Sequence, residues 1–423
     1  MSTKLEKDLK KLVNEKVISP DTAHAIRSWY DKNKGVMPNR LLLVSGVLGA
    51  LLTGLGIILI LAHNWDHFSR PVRTILAFSP LLLGQGIVAY VLINNKNYVW
   101  KESAATFLFF AVGSCISLIS QIYHIPGEVE DLLLIWMILC APLIYLLTSK
   151  ALGILHLVFL TWWAVSSGYS YQAESPWVYW VLLAILVPFI VRMYHKNTTS
   201  NTFFVITWLL SISMTICLGA FVETEEMGFL LYILFFSCLY SFGAILAPEI
   251  ESITKNGFLV TGSLGTVITL LIMSFQSFWE GVASLQGYAG SEWLLLSLFF
   301  VLLVFLSLSH LLKRKGFDGF LVVPFAFSAI FWLGTGYPLL AMICLNLFIL
   351  VLGISILAVG ARTKSLLRLN YGLLIVAILI VCRFFDTHIS FVIRGLVFIG
   401  VGIAFFIANY SVLRDQRKHN HKL

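Results

Sequence analysis

From Leu41 onward the chain alternates long apolar runs with short polar turns, and most runs approach the roughly 20 residues that a membrane-spanning helix needs. The pattern predicts spans at 41–62, 74–93, 104–123, 132–148, 151–169, 177–194, 202–222, 229–247, 258–275, 293–312, 319–335, 338–359, 371–386 and 391–411. The fold expected is all-α, a polytopic transmembrane bundle of about fourteen spans. Ahead of it, residues 1–39 read as a cytoplasmic helical hairpin. Thr3 and Glu6 form a capping box for a first helix, and Ser19 followed by Pro20 gives the N-cap and first position of a second. Leu9, Leu12 and Val13 on one helix and Ala23, Ile26 and Trp29–Tyr30 on the other supply one apolar seam. The expected organisation is this hairpin, a bundle over 40–412 and a basic cytoplasmic tail over 413–423.

Composition agrees with lipid as the main solvent. Hydrophobic residues make up 59% of the chain and charged residues 12%, where a soluble domain carries about 25% charged. The net charge of +8 does not imply nucleic acid, because the cations collect in turns. With the N-terminus in the cytoplasm, every Lys and Arg except Arg70, Arg73, Arg383 and Arg394 falls on the cytoplasmic side. Both termini are therefore expected to be cytoplasmic. The charged N-terminal segment has no signal-peptide pattern, so the first span is expected to act as an uncleaved anchor. The six cysteines all lie in apolar runs and read as buried apolar side chains.

The four exceptional arginines are the chemistry worth following. Arg70 and Arg73 close the segment that begins His63-Asn64-Trp65-Asp66, and Arg383 and Arg394 bracket Phe384-Phe385-Asp386. Each segment puts an aromatic residue directly before an Asp and reaches an Arg seven or eight residues later, on the outer face. Cations there oppose the topological bias, so they call for acids or an anionic ligand. Two readings stay open. Asp66 and Asp386 each pair with an arginine and pin the loops, or Asp66, Arg70, Arg73, Arg383, Asp386 and Arg394, joined by His124, form one outward-facing basic site. His63, His67 and His388 lie near the same face, but their spacing is not that of a metal-ligand set, and no motif calls for a metal or cofactor. Within the spans, Gln85, Gln121, His156 and Asn346 are expected to hydrogen-bond to neighbouring helices, and Pro80, Pro142, Pro188 and Pro324 to kink theirs. Residues 276–292 read as the longest outer loop, so no extramembrane catalytic domain is expected.

The run Leu55-Gly56-Ile57-Ile58 through Asn64-Trp65-Asp66 and Pro71-Val72-Arg73 resembles the bacterial predicted membrane proteins of "domain of unknown function 2157". Gln121-Ile122-Tyr123-His124-Ile125 and Arg383-Phe384-Phe385-Asp386 with Arg394 fit the same family. Phe384 stands where the family more often carries Tyr. The resemblance is specific over roughly residues 1–150, and it implies a bacterial inner-membrane location without an activity. From the residues, the leading expectation is a transporter or flippase-like protein that takes an anionic or lipid-linked ligand. The alternatives are a membrane-embedded enzyme acting on a phosphorylated or lipid-linked substrate at the outer face, and a sensor or scaffold that binds a protein partner through residues 1–39.

Overall fold

The computed structural model describes residues 9, 11–15, 17–32, 65–169, 176–196, 198, 200–246, 253–284, 290–313, 319–386, 399–400, 402–403, 406 and 410. The chain divides into two compact units, Met1–Leu76 and Ala77–Leu423.

In the first unit, residues 11–14 are helical and a longer helix, α1, covers Pro20–Lys32. Ser19 caps α1, its hydroxyl accepting the Thr22 amide at 3.1 Å. Leu9 is buried, and Leu12, Val13, Ala23 and Ile26 are half-buried, which follows the predicted seam; Trp29 stands 60% exposed. The Thr3–Glu6 capping box lies outside the described residues. A 3-10 turn at Trp65–His67 leads into helix α2, Arg70–Ile93.

Helices then follow one another through the second unit. They are α3 Tyr98–Tyr123, α4 Val129–Leu146, α5 Lys150–Gly168, α6 Val178–Lys196, α7 Asn201–Gly219, α8 Glu225–Leu246, α9 Gly257–Ile272, α10 Gln276–Ala283, α11 Gly290–Lys313, α12 Val323–Gly334, α13 Pro338–Arg362 and α14 Leu366–Asp386. Among the described residues, 10 helices are long and apolar enough to cross a membrane, and up to 11 if the bent pair α9–α10 counts as one span. The spans expected at 41–62 and, for the most part, 391–411 lie outside the described residues. All the described secondary structure is helical.

Two expectations need correction. The run at 319–335 is not kinked at Pro324. It is a 3-10 turn, Gly319–Leu321, followed by the short helix α12, in which Pro324 occupies the first turn rather than the interior. Proline fits there because the first-turn amides have no intrahelical acceptor. The supposed loop 276–292 contains α10 and the start of α11. Pro80, Pro142 and Pro188 do lie inside α2, α4 and α6.

Cross-helix contacts pair the helix ends as simple alternation requires. At one face, which carries the Lys-rich turns and is called here the near face, the Glu102 carboxylate of α3 accepts the amides of Lys150 and Ala151 and the Ser149 hydroxyl, capping α5 from outside its own helix. At the far face, Glu292 on the first turn of α11 does the same for α8. Its carboxylate is 2% exposed and accepts the amides of Glu223 at 3.0 Å and Thr224 at 2.7 Å and the Thr224 hydroxyl. Helix starts leave amides without acceptors, and a carboxylate there also faces the positive end of the helix dipole.

α8 is the most enclosed of the spans and packs on α9, α11 and α12. Its contact with α9 depends on glycine. A Cβ on Gly262 would meet the backbone nitrogen of Tyr240 on α8, where no side chain can yield. We expect Gly262→Val to separate α8 from α9 and to cost about 1–3 kcal/mol as overpacking. The measurement is thermal unfolding in detergent, and an unchanged midpoint would contradict this packing.

Candidate functional site

The far-face ends of α9, α10, α13 and α14 build one polar centre. α9 covers 16 residues, about 24 Å of helix at 1.5 Å per residue, so it stops short of a hydrocarbon core about 30 Å thick. After Met273-Ser274-Phe275 the chain turns by 82° into α10. α10 buries Trp279 and Val282 and exposes Gln276, Ser277 and Glu280, the pattern of a helix lying across the bundle rather than through it.

Opened backbone in the interior requires partners, and two side chains provide them while a third meets the Ser274 hydroxyl. The Trp279 indole donates to the Met273 carbonyl at 2.9 Å. The Asn346 amide of α13 donates to the Ser274 carbonyl at 3.0 Å and to the Met342 carbonyl of its own helix at 2.8 Å. The Arg383 guanidinium, in the last turn of α14, donates to the Ser274 hydroxyl at 3.1 Å and lies 5.1 Å from the centroid of the Phe275 ring. The Ser274 hydroxyl in turn donates to the Leu271 carbonyl at 2.6 Å. A helix of the bundle is thus interrupted at a residue that meets both a cation and an amide.

The other predicted site residues fall as follows. Arg73 is half-buried, donates to the Phe68 carbonyl at 2.9 Å, and sets its guanidinium 5.9 Å from the centroid of the Trp65 ring. Arg70 opens α2 and is exposed. Asp66 sits in the 3-10 turn and Asp386 ends α14, but their side chains, like the whole of Arg394, lie outside the described residues. His124 is exposed and ends α3 in the left-handed conformation at φ 53°, its amide bonded to the Ser120 carbonyl. It belongs to the group in which α3 packs on α4 and α5, whereas α14 packs chiefly on α13, so His124 and Arg383 end different helix groups.

Of the polar residues expected at depth, Asn346 bonds across helices as anticipated, while Gln85 and Gln121 are exposed. Ser274 and Trp279 were not legible as site residues. The only sequence signals were a serine at the end of an apolar run and a tryptophan in a presumed loop.

A groove of about 340 Å³ opens between α5 and α7, walled by Leu157, Trp162, Leu209 and Ile212, with Thr161 and Ser213 as its only hydroxyls. Tyr179, Ser213 and Thr161 form a chain at 2.8 and 2.7 Å that ends on the Leu157 carbonyl at 2.7 Å. The groove is mainly apolar, and the polar centre lies elsewhere, at the α9–α10 break.

Residues 10–153 match the family model described as "Predicted membrane protein (DUF2157)". The resemblance read from the residues thus stands over that stretch, which contains Asp66, Arg70, Arg73 and His124. The α9–α10 break and Arg383 lie beyond it. No curated protein and no solved structure matches the chain. The chain is a membrane protein with many apolar helices in contact with lipid, and the family description assigns no activity.

Proposed function

We propose that the chain is a transporter or flippase-like protein of the bacterial inner membrane, with both termini cytoplasmic and an outward-facing basic site for an anionic or lipid-linked ligand. The observation that carries this reading is the interrupted α9–α10 span held by Arg383 and Asn346 at Ser274. Discontinuous helices with opened backbone are how transporters commonly build substrate sites, and a structural span gains nothing from the break. The outward direction is supported by the Lys/Arg bias, which makes the near face cytoplasmic. Residues 1–39 are then a cytoplasmic module able to take a protein partner, residues 40–412 the bundle, and 413–423 a basic tail.

Asp66, Arg70, Arg73, His124, Asp386 and Arg394 are assigned in this reading to the outer face, as ligand-binding groups.

The test is lipid movement in reconstituted vesicles. A fluorescent phosphatidylglycerol placed in one leaflet is expected to cross faster with the protein present than without it. A fluorescent phosphatidylcholine is expected to gain much less. Equal, protein-independent crossing of both would overturn the reading.

A further inference from the structure

Resting on the anionic site just proposed, we infer that its ligand carries a hydroxyl or other hydrogen-bond donor beside the anion, and that the Asn346 side-chain oxygen receives it. Asn346 Nδ2 faces two carbonyl oxygens, Ser274 at 3.0 Å and Met342 at 2.8 Å. That fixes the amide orientation, because the flipped side chain would set oxygen against oxygen at both contacts. The Oδ1 atom is consequently the other branch of the amide. It is buried, and among the described residues no donor reaches it.

Buried acceptors without a donor are rare and costly, about 1–3 kcal/mol each. A bound group that donates removes that cost. Asn346 and Arg383 both bond to Ser274, one at its carbonyl and one at its hydroxyl. The Asn346 amide and the guanidinium therefore meet the break at the same residue. The complementary chemistry is an anion and a donor a few bonds apart, as in a phosphate esterified to a polyol. A phosphate diester with only alkyl substituents meets the guanidinium and leaves Oδ1 as it was. Side chains in a helix lean toward its N-terminus, so the Asn346 amide leans toward the far-face end of α13.

The experiment measures binding, so it does not depend on transport. The intact protein in detergent is titrated with dioctanoyl phosphatidylglycerol and with dioctanoyl phosphatidylmethanol, which has the same charge and chains but no headgroup hydroxyl. Binding is read from the shift in melting temperature. Wild-type protein is expected to bind phosphatidylglycerol about fivefold to tenfold more tightly, the value of one hydrogen bond. In Asn346→Leu that ratio is expected to fall to about one. In Arg383→Gln both lipids are expected to weaken together. Equal binding of the two lipids by wild-type protein, with both still dependent on Arg383, overturns the inference and leaves the anionic site standing; a water is then the donor to Oδ1. Binding of neither lipid overturns the anionic site itself. The wild-type comparison decides the matter even where Asn346→Leu fails to fold.

Discussion

Arg383→Gln is expected to abolish most ligand binding while the protein still inserts and folds. The guanidinium reaches the Ser274 hydroxyl and faces the Phe275 ring. Those contacts contribute about 1 kcal/mol each to stability and leave the bundle intact when lost. A charged partner in a partly desolvated site is worth more to an anion, about 2–5 kcal/mol on truncation, or about thirtyfold and upward in affinity. Arg383→Lys is expected to recover part of the affinity, because it restores charge without the planar fork. Unchanged affinity in Arg383→Gln would remove it from the site altogether.

The largest effect on stability is expected from Glu292→Ala. The carboxylate is buried and receives two backbone amides and a hydroxyl at the start of α8, the most enclosed span. Its removal leaves the Glu223 and Thr224 amides to partial solvent, at about 1–3 kcal/mol for each unsatisfied group. The sum is large against a total stability of about 5–15 kcal/mol. The apparent melting temperature in detergent is expected to fall by about 4 °C or more. Glu292→Gln keeps one acceptor oxygen and is expected to lose less. A silent Glu292→Ala would mean that α8 is held without its cap.

Much of this architecture is legible in the sequence, for a physical reason. A span must satisfy its backbone internally and show lipid an apolar surface, so a run such as 229–247 announces α8 directly. The Ser19–Pro20 helix start is equally local, and it is where expected. Arg383 stood out in the sequence because, with the N-terminus taken as cytoplasmic, it breaks a Lys/Arg bias that the other turns obey. The break after α9 did not. Residues 258–275 read as one continuous apolar run, and Met273-Ser274-Phe275 contains no glycine or proline. What captures the opened backbone is Asn346, far along the chain, and no local pattern reveals such a partner. Glu292 was hidden in the same way, since a carboxylate in a presumed loop looks solvated until the fold brings it to Thr224. Pro324 misled because proline marks a helix start as readily as a kink, and only the 3-10 turn before it decides between them.

The most direct measurement of the central claim, an outward-facing ligand site at the α9–α10 break, is cysteine protection. Ser277 lies in the first turn of α10 and is exposed, and Ser365 lies in the near-face turn between α13 and α14. Single cysteines at these two positions are placed in a background lacking the six native ones. Intact cells are treated with a membrane-impermeant maleimide, with and without dioctanoyl phosphatidylglycerol. Ser277→Cys is expected to be modified from outside and protected by the lipid, and Ser365→Cys to be modified only after the cells are opened. Modification of Ser365→Cys in intact cells with Ser277→Cys silent, or modification of Ser277→Cys that the lipid leaves unchanged, would contradict it.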